Sequence, residues 1–171
     1  PILPISTGSK IFVDGLDPEQ AKSFGTMVSS ADQADVIILY LPSIFNGTQT
    51  PGSDELMDKL VSSILPDDNL AFNIAVLDKA KAYSETATLI TVVDLNRPAI
   101  LTELDQISDG LIGTFGVYES ILFEMIFGQF SPQGKLPFEI PSSMAAVMAQ
   151  KEDLPDDSVA PIFKFGHGLS Y

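Results

Sequence analysis

The stretch Asp35–Leu41, DVIILYL, is apolar at successive positions, where a half-buried strand would alternate apolar with polar residues. A strand written this way is covered on both faces, and strands that need two covers are those of a parallel sheet between helical layers. Three other short, β-branched runs share the pattern: Lys10–Leu16 (KIFVDGL), Thr88–Leu95 (TLITVVDL) and Gly110–Gly116 (GLIGTFG). A further short strand is expected around Lys135–Ile140. Helical patterns fill the intervals at Pro18–Phe24, Asp54–Leu65, Asn73–Tyr83, Pro98–Ile107 and Tyr118–Phe127, with Asp17, Ser53 and Asn96 or Arg97 near their N-termini. Pro98 suits a first helical turn, where its missing N–H costs nothing. Alternating strand and helix predicts an α/β fold: a three-layer α/β/α sandwich whose mainly parallel sheet has about five to six strands joined by right-handed crossovers.

The 171 residues are enough for one domain with a sizeable core, and 45% of them are hydrophobic, which excludes wholesale disorder. No apolar run approaches the roughly 18 residues of a membrane span. Nine basic residues against 23 acidic ones give a net charge of −14, which argues against nucleic acid and anionic membranes as partners. Cysteine is absent and His167 is the lone histidine, so no metal or cofactor site is expected. Residues 1–10 (PILPISTGSK) lack the basic start and apolar stretch of a signal peptide, and the opening Pro1 suggests an excised or processed segment; the compartment stays open.

Pro42–Gly52 (PSIFNGTQTPG) is rich in turn formers and follows the second apolar run directly, at the carboxyl end of the expected sheet. Open α/β sheets bind ligands at that edge. A nucleotide is a poor fit, because neither GxGxxG nor GxxxxGK[ST] follows a strand. The acidic run Lys151–Asp157 (KEDLPDD) reads as a solvated surface loop.

Three ordered motifs mark the C-terminal third: Ile-Phe-Gly at 126–128, Pro-Gln-Gly-Lys-Leu-Pro at 132–137, and Phe-Gly-His-Gly-Leu-Ser-Tyr at 165–171. Together with ILP at 2–4, ADVIIL at 34–39 and VVDLNRPAIL at 92–101, they make nearly the whole chain resemble the C-terminal domain of family 3 glycoside hydrolases, β-glucosidase-like enzymes. In physical terms the glycines of these motifs read as turn formers, and Pro132 and Pro137 as helix stops.

The resemblance implies the second domain of a β-glycosidase, inactive alone, that covers the mouth of an N-terminal (β/α)₈ barrel carrying the nucleophile. A β-linked glucoside or oligosaccharide is the implied substrate. In many such enzymes this domain lends an acid/base glutamate from a loop after an early strand, which points to Glu55; by their chemistry at the expected carboxyl edge, Asp54, Phe45, Asn96 and Tyr118 are candidate substrate contacts. Acidic residues in SDEL (53–56) equally suit an ordinary helix N-terminus. Asp14, Asp94 and Phe115 are further candidates at the carboxyl edge, while His167 reads as a turn residue packed near the terminus. Relatives with similar flanks carry Asp-Leu-Asp-Phe where this chain has NLAF at 69–72. Ala71 cannot ionise, which leaves open an alternative: a stand-alone, non-catalytic carbohydrate-binding or interaction module.

Overall fold

Runs of Val, Ile and Leu pack best as pleated strands buried on both sides, and at Val36–Leu41 and Thr88–Asp94 that is where they lie, while Lys10–Asp14 and Gly110–Thr114 are mostly half-buried. The computed structural model describes residues 2–43, 70–96, 98–151, 153–154 and 156–171. Among these, five strands form one sheet: β1 (Lys10–Asp14), β2 (Thr26–Met27), β3 (Val36–Leu41), β4 (Thr88–Asp94) and β5 (Gly110–Thr114). Every pairing is parallel, in the order β2-β1-β3-β4-β5. Four α-helices accompany them: α1 (Ile74–Ser84), α2 (Thr102–Ile107), α3 (Glu119–Ile126) and α4 (Met144–Ala149).

Alternate strand residues feed two cores. Ile11, Ile38, Ile90 and Val92 meet Leu122, Phe123 and Ile126 of α3 on one face. Ile37, Leu39, Leu89 and Val93 meet Ala80 of α1 and Leu104 of α2 on the other. The three-layer α/β sandwich is therefore present, each fully buried Leu, Ile or Phe contributing about 1.5–3 kcal/mol. Capping follows the local sequence at α1, where Asn73 Oδ1 accepts from Val76 N at 3.0 Å.

Several expectations are corrected. Lys135–Ile140 does not join the sheet. Pro137 has no N–H to give a ladder, and its neighbours pair with the chain terminus: Leu136 N donates to His167 O at 2.8 Å and Ile140 N to Phe163 O at 2.9 Å. Pro98 does not open a helix; α2 starts at Thr102 after Leu101, and Asn96 instead turns back on Asp94. Pro18–Phe24 shortens to a single 3-10 turn, Pro18–Ala21, capped by Asp17. Strand β2 and helix α4 are additional elements that sequence periodicity did not reveal, because two residues of strand and MAAVMA are too short to show a period. The expected helix Asp54–Leu65, with Ser53 at its start, and Arg97 lie outside the described residues.

Candidate functional site at the carboxyl edge

Parallel strands all end at one edge, and here that edge gathers polar side chains. Its step-like profile comes from the registers. Asp14, the last residue of β1, pairs with Leu39, but β3 continues to Leu41, opposite Val93 of β4. β1 thus stops two residues short of its neighbour, about 7 Å at the rise of a strand, and β2 on its far side is shorter still. Crossovers also diverge here, since β1 leads outward to β2 whereas β3 leads the other way to β4. A crevice outside the strand ends at such a switch point is where open α/β sheets take ligands.

Asp14 forms the floor of this notch. Its Oδ2 accepts from Lys79 Nζ and from Tyr83 Oη, both at 2.9 Å, which ties β1 to α1. Burial pushes the Tyr83 phenol up to about 12, and the hydrogen bond and charge of Asp14 add to the shift. Gly15 follows with φ +91°, and a Cβ there would sit 2.7 Å from Tyr40 O, so only glycine lets the chain turn away this close to β3.

A second group lies on the α3 side of the sheet. Asp94 ends β4; its Oδ1 accepts from Asn96 N and its Oδ2 from Asn96 Nδ2, both at 3.0 Å, while Tyr40 Oη approaches Oδ2 at 3.4 Å. Burial raises the Tyr40 pKa first, then the charge and hydrogen bond of Asp94, then the charge of Glu119. Glu119, at the start of α3, accepts from Asp17 N at 2.7 Å and so fixes the loop after β1 against that helix.

The structure thus brings Asp94 and Asn96 together and places Asp14 at the same edge. Tyr118 caps α3 backbone-wise and is exposed, with no side-chain capping bond. Phe115 packs edge-on against Phe138, ring centroids 6.0 Å apart, while half its surface stays open. Phe45, Asp54 and Glu55 lie outside the described residues, as does most of Pro42–Gly52. Tyr40, Lys79, Tyr83 and Glu119 were not singled out from the sequence. Their signals were available: Tyr40 breaks the apolar run near its end, and Lys79 and Tyr83 are four apart on one helix face. The loop after β1, GLDPE, carries carboxylates where a phosphate cradle would need bare N–H groups. No group of three or more metal-ligating side chains occurs among the described residues.

Two of the three C-terminal motifs, 132–137 and 165–171, converge elsewhere, into a clasp. Gly166 N donates to Leu136 O at 2.9 Å, Tyr171 N to Ser131 Oγ at 3.0 Å, and Lys135 Nζ to Gly168 O. Gly168 approaches so closely that a Cβ would lie 2.3 Å from Gly134 O. His167 stacks on Phe163, centroids 4.7 Å apart, in the packing role expected of it. The clasp borders an apolar groove of about 750 Å³ beside β5, walled by Ile121, Met125, Phe130 and Leu136.

The chain is 34% identical over 173 residues to "Probable beta-glucosidase C" of Aspergillus flavus, covering 100% of this chain and 26% of that protein. It is 34% identical over 174 residues to "Periplasmic beta-glucosidase/beta-xylosidase" of Dickeya chrysanthemi, covering 99% of this chain and 25% of that protein. It therefore spans about a quarter of the length of the curated relatives it matches. In fold it is similar to the crystal structure of a β-glucosidase from Listeria innocua in complex with isofagomine, with a TM-score of 0.70 at 17% identity, covering 99% of this chain and 31% of that one. The family model described as "Glycosyl hydrolase family 3 C-terminal domain" matches residues 9–171, and the chain belongs to that family.

Proposed function

We propose that this chain is one wall of the active site of a β-glycosidase that hydrolyses β-linked glucosides or oligosaccharides. The observation that carries this reading is the set of two carboxylates, an amide and a phenol, Asp14, Asp94, Asn96 and Tyr40, collected at the sheet's ligand-binding edge. Such groups accept from and donate to sugar hydroxyls. The names of the Aspergillus and Dickeya relatives support the substrate class.

A retaining glycosidase needs two carboxyl groups roughly 5–5.5 Å apart. In this proposal a (β/α)₈ barrel of the same polypeptide supplies the nucleophile. Glu55 supplies the proton: it protonates the glycosidic oxygen as the sugar–oxygen bond breaks, then takes a proton from the water that releases the glycosyl-enzyme. Asp54, Phe45, Asn96 and Tyr118 contact the sugar.

The test compares the purified chain with the full-length enzyme on 4-nitrophenyl β-glucoside. The full-length enzyme is expected to hydrolyse it, and Glu55→Gln to lower its kcat by on the order of 10²–10⁴. The isolated chain is expected to fold and to be inert. Hydrolysis by the isolated chain, lost when its own acidic residues are replaced, would overturn the division of labour.

A further inference from the structure

We propose that Asp14 is a sugar-binding residue, its free carboxylate oxygen accepting a substrate hydroxyl in the notch between β1 and β3, with Lys79 and Tyr83 as positioning residues. The inference deepens the glycosidase reading above and rests on it.

Three features converge on Asp14. It stands at the switch point of the sheet, two residues below the end of β3, where the backbone leaves a recess and not a flush edge. The chain leaves that recess past Tyr40, whose side chain belongs to the α3 face; Asp14 itself bonds to α1 on the opposite face. Among the described residues, the α1 side of the notch is thus left to the carboxylate. Finally, both protein donors, Lys79 Nζ and Tyr83 Oη, take the same oxygen, Oδ2. Neither uses Oδ1, and the side chain keeps 27% of its surface exposed.

A carboxylate that served only to staple a strand to a helix would gain by dividing two donors between its two oxygens, because each oxygen has two lone pairs to satisfy. Loading both onto Oδ2 fixes the plane of the carboxylate and presents Oδ1 outward. One charge-assisted acceptor held in this way recognises a hydroxyl without needing to reorganise. Tyr83 stays a donor across the physiological range, since its phenol ionises near 12. Lys79 has donors only and no acceptor, so it fixes Oδ2 from the α1 side and does not compete for the hydroxyl.

The experiment uses the full-length enzyme carrying Asp14→Ala, Asp14→Asn, Tyr83→Phe or Lys79→Met, assayed on 4-nitrophenyl β-glucoside and on cellobiose, with thermal unfolding followed in parallel. Asp14→Ala is expected to lower kcat/KM by about tenfold, through KM more than kcat, on at least one of the two substrates, the size of one hydrogen bond to a charged group. Asp14→Asn, which keeps an acceptor without the charge, should recover part of that loss. Tyr83→Phe and Lys79→Met should raise KM by a smaller factor. A folded Asp14→Ala enzyme with lowered Tm and wild-type KM on both substrates would reduce Asp14 to a staple and overturn the inference while the glycosidase reading stands. A wild-type enzyme inactive on both substrates would overturn the glycosidase reading itself, and the inference with it. If Asp14→Ala does not fold, the Asn and Phe variants decide by the same KM comparison.

Discussion

The clasp and the carboxyl edge are built from opposite materials. In the clasp, the segments 131–140 and 162–171 hold each other through backbone hydrogen bonds, glycine contacts and aromatic packing. At the edge, Asp14, Asp94, Asn96, Tyr40, Lys79 and Tyr83 hold each other through side-chain charges and hydroxyls. Two of the motifs that betray the family, 132–137 and 165–171, lie in the clasp, where one wrong atom collides with backbone. The polar groups suited to a sugar lie at the edge, where many side-chain choices would fold equally well. The clasp motifs therefore report scaffold, whereas the motif at 92–101 carries Asp94 and Asn96 to the edge.

Substitutions can break that contrast. Ile140 is fully buried, and its backbone pairs with Phe163 across the clasp. Ile140→Ala should cost about 2–5 kcal/mol by chemical denaturation, with the substrate KM of the full-length enzyme unchanged below its unfolding transition. A large rise in KM at intact stability would mean that the clasp takes part in binding and the contrast fails. Next in size is Gly168→Ala, whose Cβ meets Gly134 O at 2.3 Å and Lys135 Cδ at 3.0 Å. It should lose about 1–3 kcal/mol, the cost of overpacking a site whose neighbour is backbone and cannot yield. A neutral result would show that the clasp opens more easily than its contacts imply.

The smallest effect, at the edge, sharpens the contrast through pH. Tyr83 ionises near 10 when exposed and near 12 in the folded chain. Between those values the unfolded chain has lost the phenolic proton that the folded chain still holds. Unfolding then releases a proton, and stability falls as pH rises. The contribution of this phenol is therefore present in full below pH 10 and is gone above about 12. Denaturation curves from pH 9 to 12 should show this decline in the wild-type chain and a shallower one in Tyr83→Phe. Equal slopes would mean that the phenol is not held buried against Asp14 in solution.

Much of the scaffold was legible in the residues. DVIILYL and TLITVVDL announce doubly covered strands, and Asn73 announces the start of α1, because these signals depend on residues close in the chain; KIFVDGL and GLIGTFG announce strands that turn out half-buried. Lys135–Ile140 misled for a physical reason. Its apolar alternation is a strand's, but Pro137 spoils a ladder and its partners are the residues 162–167, which no local pattern can announce. Of the edge residues, Asp14, Asp94 and Asn96 were legible as polar residues at the expected strand ends. Tyr40, Lys79 and Tyr83 carry only a weak local signal, since a tyrosine in a strand or a lysine on a helix acquires meaning from its neighbour in space.

Composition and periodicity thus suffice for the class of fold, the two-sided burial of β3 and β4 and the family motifs, all consequences of spacing along the chain. Strand order, the two-residue step between β1 and β3, and the meeting of Asp14 with Lys79 and Tyr83, 65 and 69 residues away, are different in kind. They arise only when loop closure brings distant segments together, and the register of one strand against the next then decides which side chain stands at the floor of the notch.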